Sequence, residues 1–387
     1  MKSIREAVAC ARERILETYH DLHSMPEGPF EEVRTSAYIA NRLRQAGYDV
    51  RTGVGKTGVV ASGKTLADRG VIALRADMDA LEHEVDGIRS HVHSCGHDAH
   101  SAMVLCAAEI IREICPEAEH RVRLLFQPAE EIGRGAVHMT EDGALEGVST
   151  VVGIHVRPIA ECRLGYATPH LAHAGGITLK YKVAGRPAHS ARPHLGTNVA
   201  DAVAAATVAV NSVKPNPMSC ATVNVVRITA GDGPANVIPA SGSMVVNIRA
   251  ESDEIGKGLR DRVDRAVVGA AAAVGAQVTL EEENMMPAAC CDPETVEMVG
   301  RAIVRVLGPE GLLPKVLTPG SEDFHFFPKL VPGLRSAYIG LGADFSPGLH
   351  DPGATFNQEA LLLGTEILVE TVREFLKPAP VHERNDS

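Results

Sequence analysis

Over the first 27 residues, MKSIREAVACARERILETYHDLHSMPE, apolar positions recur at helical spacing with charges between them, which predicts an amphipathic helix. A second helical pattern runs from Glu31 to Gly47, where the glycine is a stop signal. Strand-like runs follow at Tyr48–Arg51 and Gly58–Ala61. The continuous run Val71-Ile72-Ala73-Leu74-Arg75-Ala76 reads as a strand covered on both faces. A helix over Ala99–Ile114, a strand at Arg121–Phe126, a helix after Glu131 and a buried strand at Val151–His155 continue the alternation, which predicts a mostly parallel α/β sheet. The rhythm changes near Gly175-Gly176. From there the pattern is a strand at Ile177–Ala184, a helix at Thr197–Val213, strands at Ala221–Ala230 and Ser241–Ala250, a helix at Ile255–Val274 and a strand at Gln277–Glu282. That β-α-β-β-α-β order is ferredoxin-like. It predicts an inserted domain over 175–287 within a discontinuous main domain of 1–174 and 288–387, the insert being about a hundred residues and so of ordinary domain size. A strand at Arg335–Leu341 and a helix at Gln358–Leu376 close the main domain, and the tail Pro378–Ser387 is expected to be disordered.

Composition narrows the possibilities. A chain of 387 residues is long for one core, in agreement with two domains. A formal charge of −11, with no basic block, argues against a nucleic-acid partner and an anionic membrane surface. The N-terminal helix lacks the apolar core and cleavage site of a signal peptide, and no run approaches the ~18 consecutive apolar residues of a spanning helix. Eight cysteines without regular spacing then predict reduced thiols and a cytoplasmic location.

The chemistry concentrates in Cys95-Gly96-His97-Asp98-Ala99-His100, which packs a thiol, two imidazoles and a carboxylate into one short segment. These are the side chains that bind zinc and its first-row neighbours, and a glycine between two ligands lets a tight turn aim both at one centre. A buried Cys beside a capping Asp is the competing reading of this segment alone. Glu130-Glu131 follows a predicted strand and could equally be two acids at a helix N-terminus. His155 ends an apolar strand and could be a structural histidine; His350 could be a loop residue. Together, a thiolate, three imidazoles and a carboxylate at the ends of adjacent strands are where an α/β sheet places a ligand, and they indicate a metallohydrolase.

The chain resembles the aminoacylase and hippurate-hydrolase branch of the dinuclear metallopeptidases, which includes the indole-acetyl-amino-acid amidohydrolases. The resemblance rests on Arg75-Ala76-Asp77-Met78-Asp79-Ala80-Leu81, on the Cys95–His100 block, and on Phe126-Gln127-Pro128-Ala129-Glu130-Glu131. Further along it rests on Gly153-Ile154-His155-Val156, Ala188-His189-Ser190-Ala191-Arg192-Pro193-His194, Asn236-Val237-Ile238-Pro239, Ser321-Glu322-Asp323-Phe324 and Leu349-His350. These segments stand in the family order and span nearly the whole chain. The resemblance implies two divalent ions held by Cys95, His97, Glu131, His155 and His350. Zinc is favoured by the thiolate, with manganese, cobalt or nickel as alternatives. It implies Glu130 as general base, Asp79 orienting the metal cluster, and His189 of the insert as an oxyanion-stabilising group that often reaches into a neighbouring protomer. Asn236 and Arg249 are implied as substrate-binding residues, Arg249 being suited to a bidentate carboxylate pair. The insert would act as a lid and dimerisation domain, giving a homodimer or a dimer-based homo-oligomer.

The activity so implied is metal-dependent hydrolysis of the amide bond of an N-acyl amino acid or similar small conjugate. Three readings compete with it: a thiol hydrolase with Cys95 as nucleophile, a dipeptidase or carboxypeptidase acting on small peptides, and a non-catalytic binding protein that retains the fold, whose signature would be loss of Glu130, which is present. Three departures from the family bear on specificity: Glu82 stands where the family has proline, the stretch 82–94 is several residues short, and the usual Gly-Gly-Glu-Asp is here Gly320-Ser321-Glu322-Asp323. Of the imidazoles there, His93 is family-typical, whereas His83 and His91 read as incidental.

Overall fold

The amphipathic N-terminal stretch folds as two helices, α1 (Ile4–Cys10) and α2 (Arg12–His23), so the single expected helix is divided at Ala11. Ser3 starts α1 with a reciprocal capping box, its hydroxyl taking the Glu6 amide while the Glu6 carboxylate takes the Ser3 amide. Helix α3 (Val33–Gln45) begins later than its apolar pattern because its cap lies outside the helix. The Glu27 carboxylate accepts the amides of Arg34 (3.1 Å) and Thr35 (2.9 Å) and the Thr35 hydroxyl (2.9 Å). These are the orphan donors of a helix first turn, where a negative charge is also favoured. Gly47, at φ +85°, ends the segment in a conformation that glycine adopts without strain.

This computed structural model describes residues 2–64 and 70–377, so the tail expected to be disordered lies outside the described residues. Contacts divide the chain into two compact units. The first runs to Ala172 and includes Cys290–Leu317 and the residues from Asp323 onward; the second comprises His173–Ala289 with Thr318–Glu322.

The first unit is built on strands β1 (Asp49–Val54), β2 (Gly58–Ser62), β3 (Val71–Asp77), the hairpin β4 (Leu81–Val85) and β5 (Ile88–Val92), helix α4 (His97–Ile114), β6 (Val122–Gln127), α5 (Gly135–Glu141) and β7 (Val148–Pro158). A further strand at Arg335–Phe345 joins them in a seven-stranded sheet, ordered β1-β2-β6-β3-β7, then 335–345, then the short edge strand 167–168. The central strands β6, β3, β7 and 335–345 run parallel, and both flanks are antiparallel. The mostly parallel sheet expected from the alternation is therefore its centre. Every residue of β3 is buried, as its unbroken apolar run requires of a middle strand. Helix α4 is buried on all sides from His97 to Ile111, between the sheet, α2 and the last helix, Glu359–Leu376.

The second unit has the element order β-α-β-β-α-β. The four strands of its main sheet are Gly175–Ala184, Ala221–Ala230, Ser241–Ala250 and Gln277–Met286; its α-helices are Val199–Asn211 and Asp253–Ala273. The sheet is antiparallel, with 221–230 at one edge and 277–286 at the other. Ile177, Leu179, Tyr181 and Val183 alternate onto one face and pack with Val203, Val210, Val263 and Val267 of the helices. Each unit therefore has its own apolar core. No helix among the described residues is long and apolar enough to cross a membrane.

Burial pushes the Glu27 carboxyl up, but the amides of Thr35 and Arg34 outweigh it and hold the group below its ordinary 4.5. A depressed carboxylate stabilises the fold above its unfolded value, and that stability is lost as pH falls through the folded value. Glu27→Ala should therefore lower the unfolding free energy by about 1–2 kcal/mol at pH 7. The gap to wild type should narrow below about pH 4.5. Denaturant titrations at pH 7 and pH 4 measure it; a gap independent of pH contradicts the capping role.

Candidate metal centre

The carboxyl ends of the parallel strands gather the donor side chains. Asp77 is the last residue of β3, Asp79 lies two residues on, Glu130 and Glu131 lie three and four residues past β6, and His155 lies near the end of β7. The turn into α4 adds Cys95 and His97, and the loop after 335–345 adds His350. Among the overlapping groups of ligand atoms that lie within 4.8 Å of one another are Cys95, His97 and His155; Cys95, Glu131 and His350; and His97, Glu130 and Glu131. All five residues expected as ligands fall in this assembly, with Glu130 among them. Within the cluster Cys95 Sγ lies 3.6 Å from His155 Nε2, His350 Nε2 3.6 Å from Glu131 Oε2, and His97 Nε2 3.8 Å from Glu131 Oε1 and 3.9 Å from Glu130 Oε2.

Hydrogen bonds set which ring nitrogen of each histidine faces the centre. His97 Nδ1 lies 3.0 Å from Asp79 Oδ1 and donates to it, which leaves Nε2 with its lone pair inward. The other Asp79 oxygen accepts the amide of Glu131 at 3.0 Å, so one carboxylate orients an imidazole and the segment that carries the facing acid. His155 Nδ1 donates to the carbonyl of Val156 at 2.6 Å, again leaving Nε2 inward. His100 is different. Its Nε2 accepts the amide of Val156 (2.9 Å), so the proton is on Nδ1, which donates to Asp77 at 2.7 Å. With both nitrogens engaged His100 is a strut between β3 and β7, not a ligand.

The local backbone is strained where it presents these groups. Gly96 has φ +86°, and a Cβ there would stand 2.6 Å from Val156 Cγ2, so only glycine fits between Cys95 and His97. Ala129 (φ +52°) precedes the two glutamates, and His350 itself has φ +68°. Non-glycine residues in this region are costly and persist where the surroundings over-determine them. Gly135 closes the glutamate loop: a Cβ there would lie 1.6 Å from the Pro128 carbonyl oxygen.

The electrostatics match a cation site. His97 Nε2 and Glu131 Oε1 are both buried without a hydrogen-bond partner, and an orphaned base facing an orphaned acid oxygen fits a bound cation. Burial pushes the Glu131 carboxyl up to about 7, against the pull of His97. Burial opposes charge on His97, yet Asp77 and Cys95 raise it well above its ordinary value; burial holds the His155 imidazole well below it. Burial also pushes the Cys95 thiol up, which leaves it a poor nucleophile by itself.

Most of the stretch 82–94 folds as the hairpin β4–β5. Asp86 and Gly87, at φ +53° and +77°, make its two-residue turn, a hairpin signal set in a stretch too polar to read as strands. His83, read as incidental, is bonded through Nε2 to Ser94 Oγ at 2.8 Å, and the Ser94 carbonyl accepts the His350 amide at 2.8 Å. His93 is buried with neither ring nitrogen bonded. In the second unit His189 is exposed and pairs with Val237 in a short ladder, and Asn236 accepts the Ser190 amide. Arg249 donates to Ser321 Oγ (2.5 Å) and Asn247 Oδ1 (3.2 Å).

The chain belongs to Peptidase family M20/M25/M40, which matches residues 73–374. It is thus a metal-dependent amidohydrolase. It is 31% identical over 366 residues to the N-acetyl-L-cysteine deacetylase of Bacillus subtilis, covering 92% of this chain and 86% of that protein. It is 27% identical over 439 residues to one component of the p-aminobenzoyl-glutamate hydrolase of Escherichia coli, covering 97% and 99%. The solved structure of the Bacillus subtilis YXEP protein, a dinuclear metal-binding peptidase of the M20 family, superimposes with a TM-score of 0.76 at 26% identity, covering 94% of this chain and 98% of that one. The donor groups and this neighbour together support two metal ions.

Gly96→Ala should destabilise the fold by about 1–3 kcal/mol, through the strained φ and the clash with Val156. It should also weaken metal binding, because Cys95 and His97 would no longer converge. Thermal unfolding and metal titration read both effects, and a variant that binds metal as wild type does contradicts this geometry.

Proposed function

We propose that the protein hydrolyses the amide bond of an N-acyl amino acid or similar small conjugate, releasing a carboxylic acid and a free amine. The observation that carries this reading is the convergence of Cys95, His97, Glu131, His155 and His350 around two inward, unpartnered donor atoms with Glu130 beside them. In the proposal these five residues hold two divalent ions, zinc being favoured by the thiolate. Bound there, the ions would supply Lewis acidity and lower the pKa of water toward neutrality.

Glu130 is assigned as the general base and acid. One of its oxygens points to His97 and the other accepts the Asp323 amide at 3.5 Å, so the carboxylate is held at the edge of the donor cluster. From there it can take a proton from water and return it to the departing amine nitrogen. Asp79 keeps His97 in the tautomer a ligand needs. His189 is assigned to the oxyanion. Its Nδ1 accepts the Ala191 amide at 3.1 Å, which places the proton on Nε2 and makes that atom the donor such a role requires. Asn236 and Arg249 are assigned to the polar groups of the substrate, with Arg249 taking its carboxylate. The relatives named for N-acetylcysteine and aminobenzoyl-glutamate support an amino-acid carboxylate of this kind.

We further assign the second unit a lid and dimerisation role, with His189 serving the site of a partner protomer. The exposed Val226 and Ile228 on the edge strand Ala221–Ala230 support a homodimer, since an apolar open edge invites pairing.

The test is metal content and turnover of a panel of N-acyl amino acids, before and after chelation. Two ions per chain, with activity lost on chelation and restored by metal, are expected. Glu130→Gln should retain the ions and lose about 10²–10⁴-fold in kcat. A chain that binds no metal, or a Glu130→Gln variant with wild-type turnover, refutes the proposal.

A further inference from the structure

Glu32 is a fully buried carboxylate outside the ligand set, on the segment that leads into α3. One oxygen accepts the amide of Ala129 at 2.8 Å and the other accepts the hydroxyl of Thr57 at 2.5 Å. Ala129 is itself completely buried, left-handed at φ +52°, and covalently joined to Glu130. Two residues on, the amide of Glu131 is taken by Asp79. Two buried carboxylates thus grip alternate amides of the loop on either side of Glu130. The loop closes on itself through Gly133 N to Glu130 O (2.7 Å) and through Arg134 N and Gly135 N to Ala129 O (3.2 Å each). Thr57 anchors the far side of Glu32 to the turn before β2, where Gly58 lies against Pro128 so closely that a Cβ would meet its Cδ at 2.9 Å.

A lone buried acid is costly, and here it serves one backbone amide in a strained conformation rather than an ion pair. We propose that Glu32 is a positioning residue: its bond to the Ala129 amide fixes the left-handed turn that aims Glu130 and Glu131. This rests on the functional reading above and adds to it the residue that sets the loop. A glutamine can make the same two contacts, accepting the Ala129 amide through Oε1 and donating to Thr57 through Nε2. The tether predicts that the hydrogen bond, not the charge, is what matters.

The experiment compares Glu32→Ala, Glu32→Asp and Glu32→Gln in the full chain. Readouts are metal affinity, kcat and KM separately, and hydrogen exchange of the 126–135 segment. Glu32→Ala should weaken metal binding and lower kcat by about tenfold or more. KM should stay within about twofold, because substrate contacts lie elsewhere, and amide exchange at 129–131 should accelerate as the tether is lost. Glu32→Asp, one methylene short, should fall between Ala and wild type, and serves as the test if the alanine variant does not fold. Glu32→Gln should restore all three readouts. Wild-type metal affinity and kcat in Glu32→Ala or Glu32→Asp overturn the proposal, as does a Glu32→Gln variant as impaired as alanine. Wild-type protein assayed alongside separates the two levels: if it binds no metal the functional reading fails, whereas a metal-binding wild type with unaffected Glu32 variants sinks only the tether.

Discussion

Everything at the site is hung from one buried carboxylate, Asp77. It is completely enclosed at the end of β3, and it survives as an anion because His97, His100 and Arg75 face it; burial opposes its charge, and they hold it well below the usual carboxylate range. Arg75, also completely buried, donates to Asp77 at 2.7 Å, to Gln127 at 2.8 Å, to the Tyr338 hydroxyl at 3.0 Å and to Asp323 at 3.3 Å. These partners come from β3, β6, the strand 335–345 and the turn at 323–325. Breaking such a network by removing one member leaves an unpaired buried charge, an expensive state. The network therefore locks the ends of the parallel strands together, at the place where a parallel sheet presents a ligand site.

From that anchor the geometry spreads outward by hydrogen bonds of defined direction. Asp77 orders His100, whose other nitrogen takes the β7 backbone at Val156 next to His155. The Asp77 carbonyl takes the Ser101 hydroxyl and pins the first turn of α4 next to His97. Asp323 continues the chain, accepting from Gln127 and from the Ala136 amide at the start of α5, just beyond the glutamate loop. Asp79 and Glu32 then fix that loop from the near side. His97 and His155 each turn Nε2 inward because the opposite ring nitrogen is already bonded. That is how a protein builds a cation site before the cation arrives.

Much of this could be read from the chain, and the reasons for the remainder are physical. The buried run at 71–76 and its parallel neighbours were legible because a strand covered on both faces must be apolar throughout. The cluster of donor side chains was legible because thiol, imidazole and carboxylate residues fall at the ends of predicted strands and in the adjoining turns. What periodicity does not carry is a partner distant in sequence. Glu27 sets the start of α3, and Glu32 reaches Ala129, so neither is visible as a local pattern. The expected start of the α4 helix at Ala99 lies at His97, because a glycine in the left-handed region can open a helix with no side-chain cap. The hairpin at 81–92 was legible in principle through Asp86-Gly87, but its sparse apolar content hid the strands.

The central claim is that five side chains hold two ions while Glu130 stays outside their coordination. The most direct measurement is a crystal structure of the metal-loaded protein with anomalous data collected at the edge of the bound metal. The account predicts two anomalous peaks per chain, liganded by Cys95, His97, Glu131, His155 and His350, with both Glu130 oxygens uncoordinated. No peak at this site, a single ion, or Glu130 as a ligand in place of one of the five would contradict it.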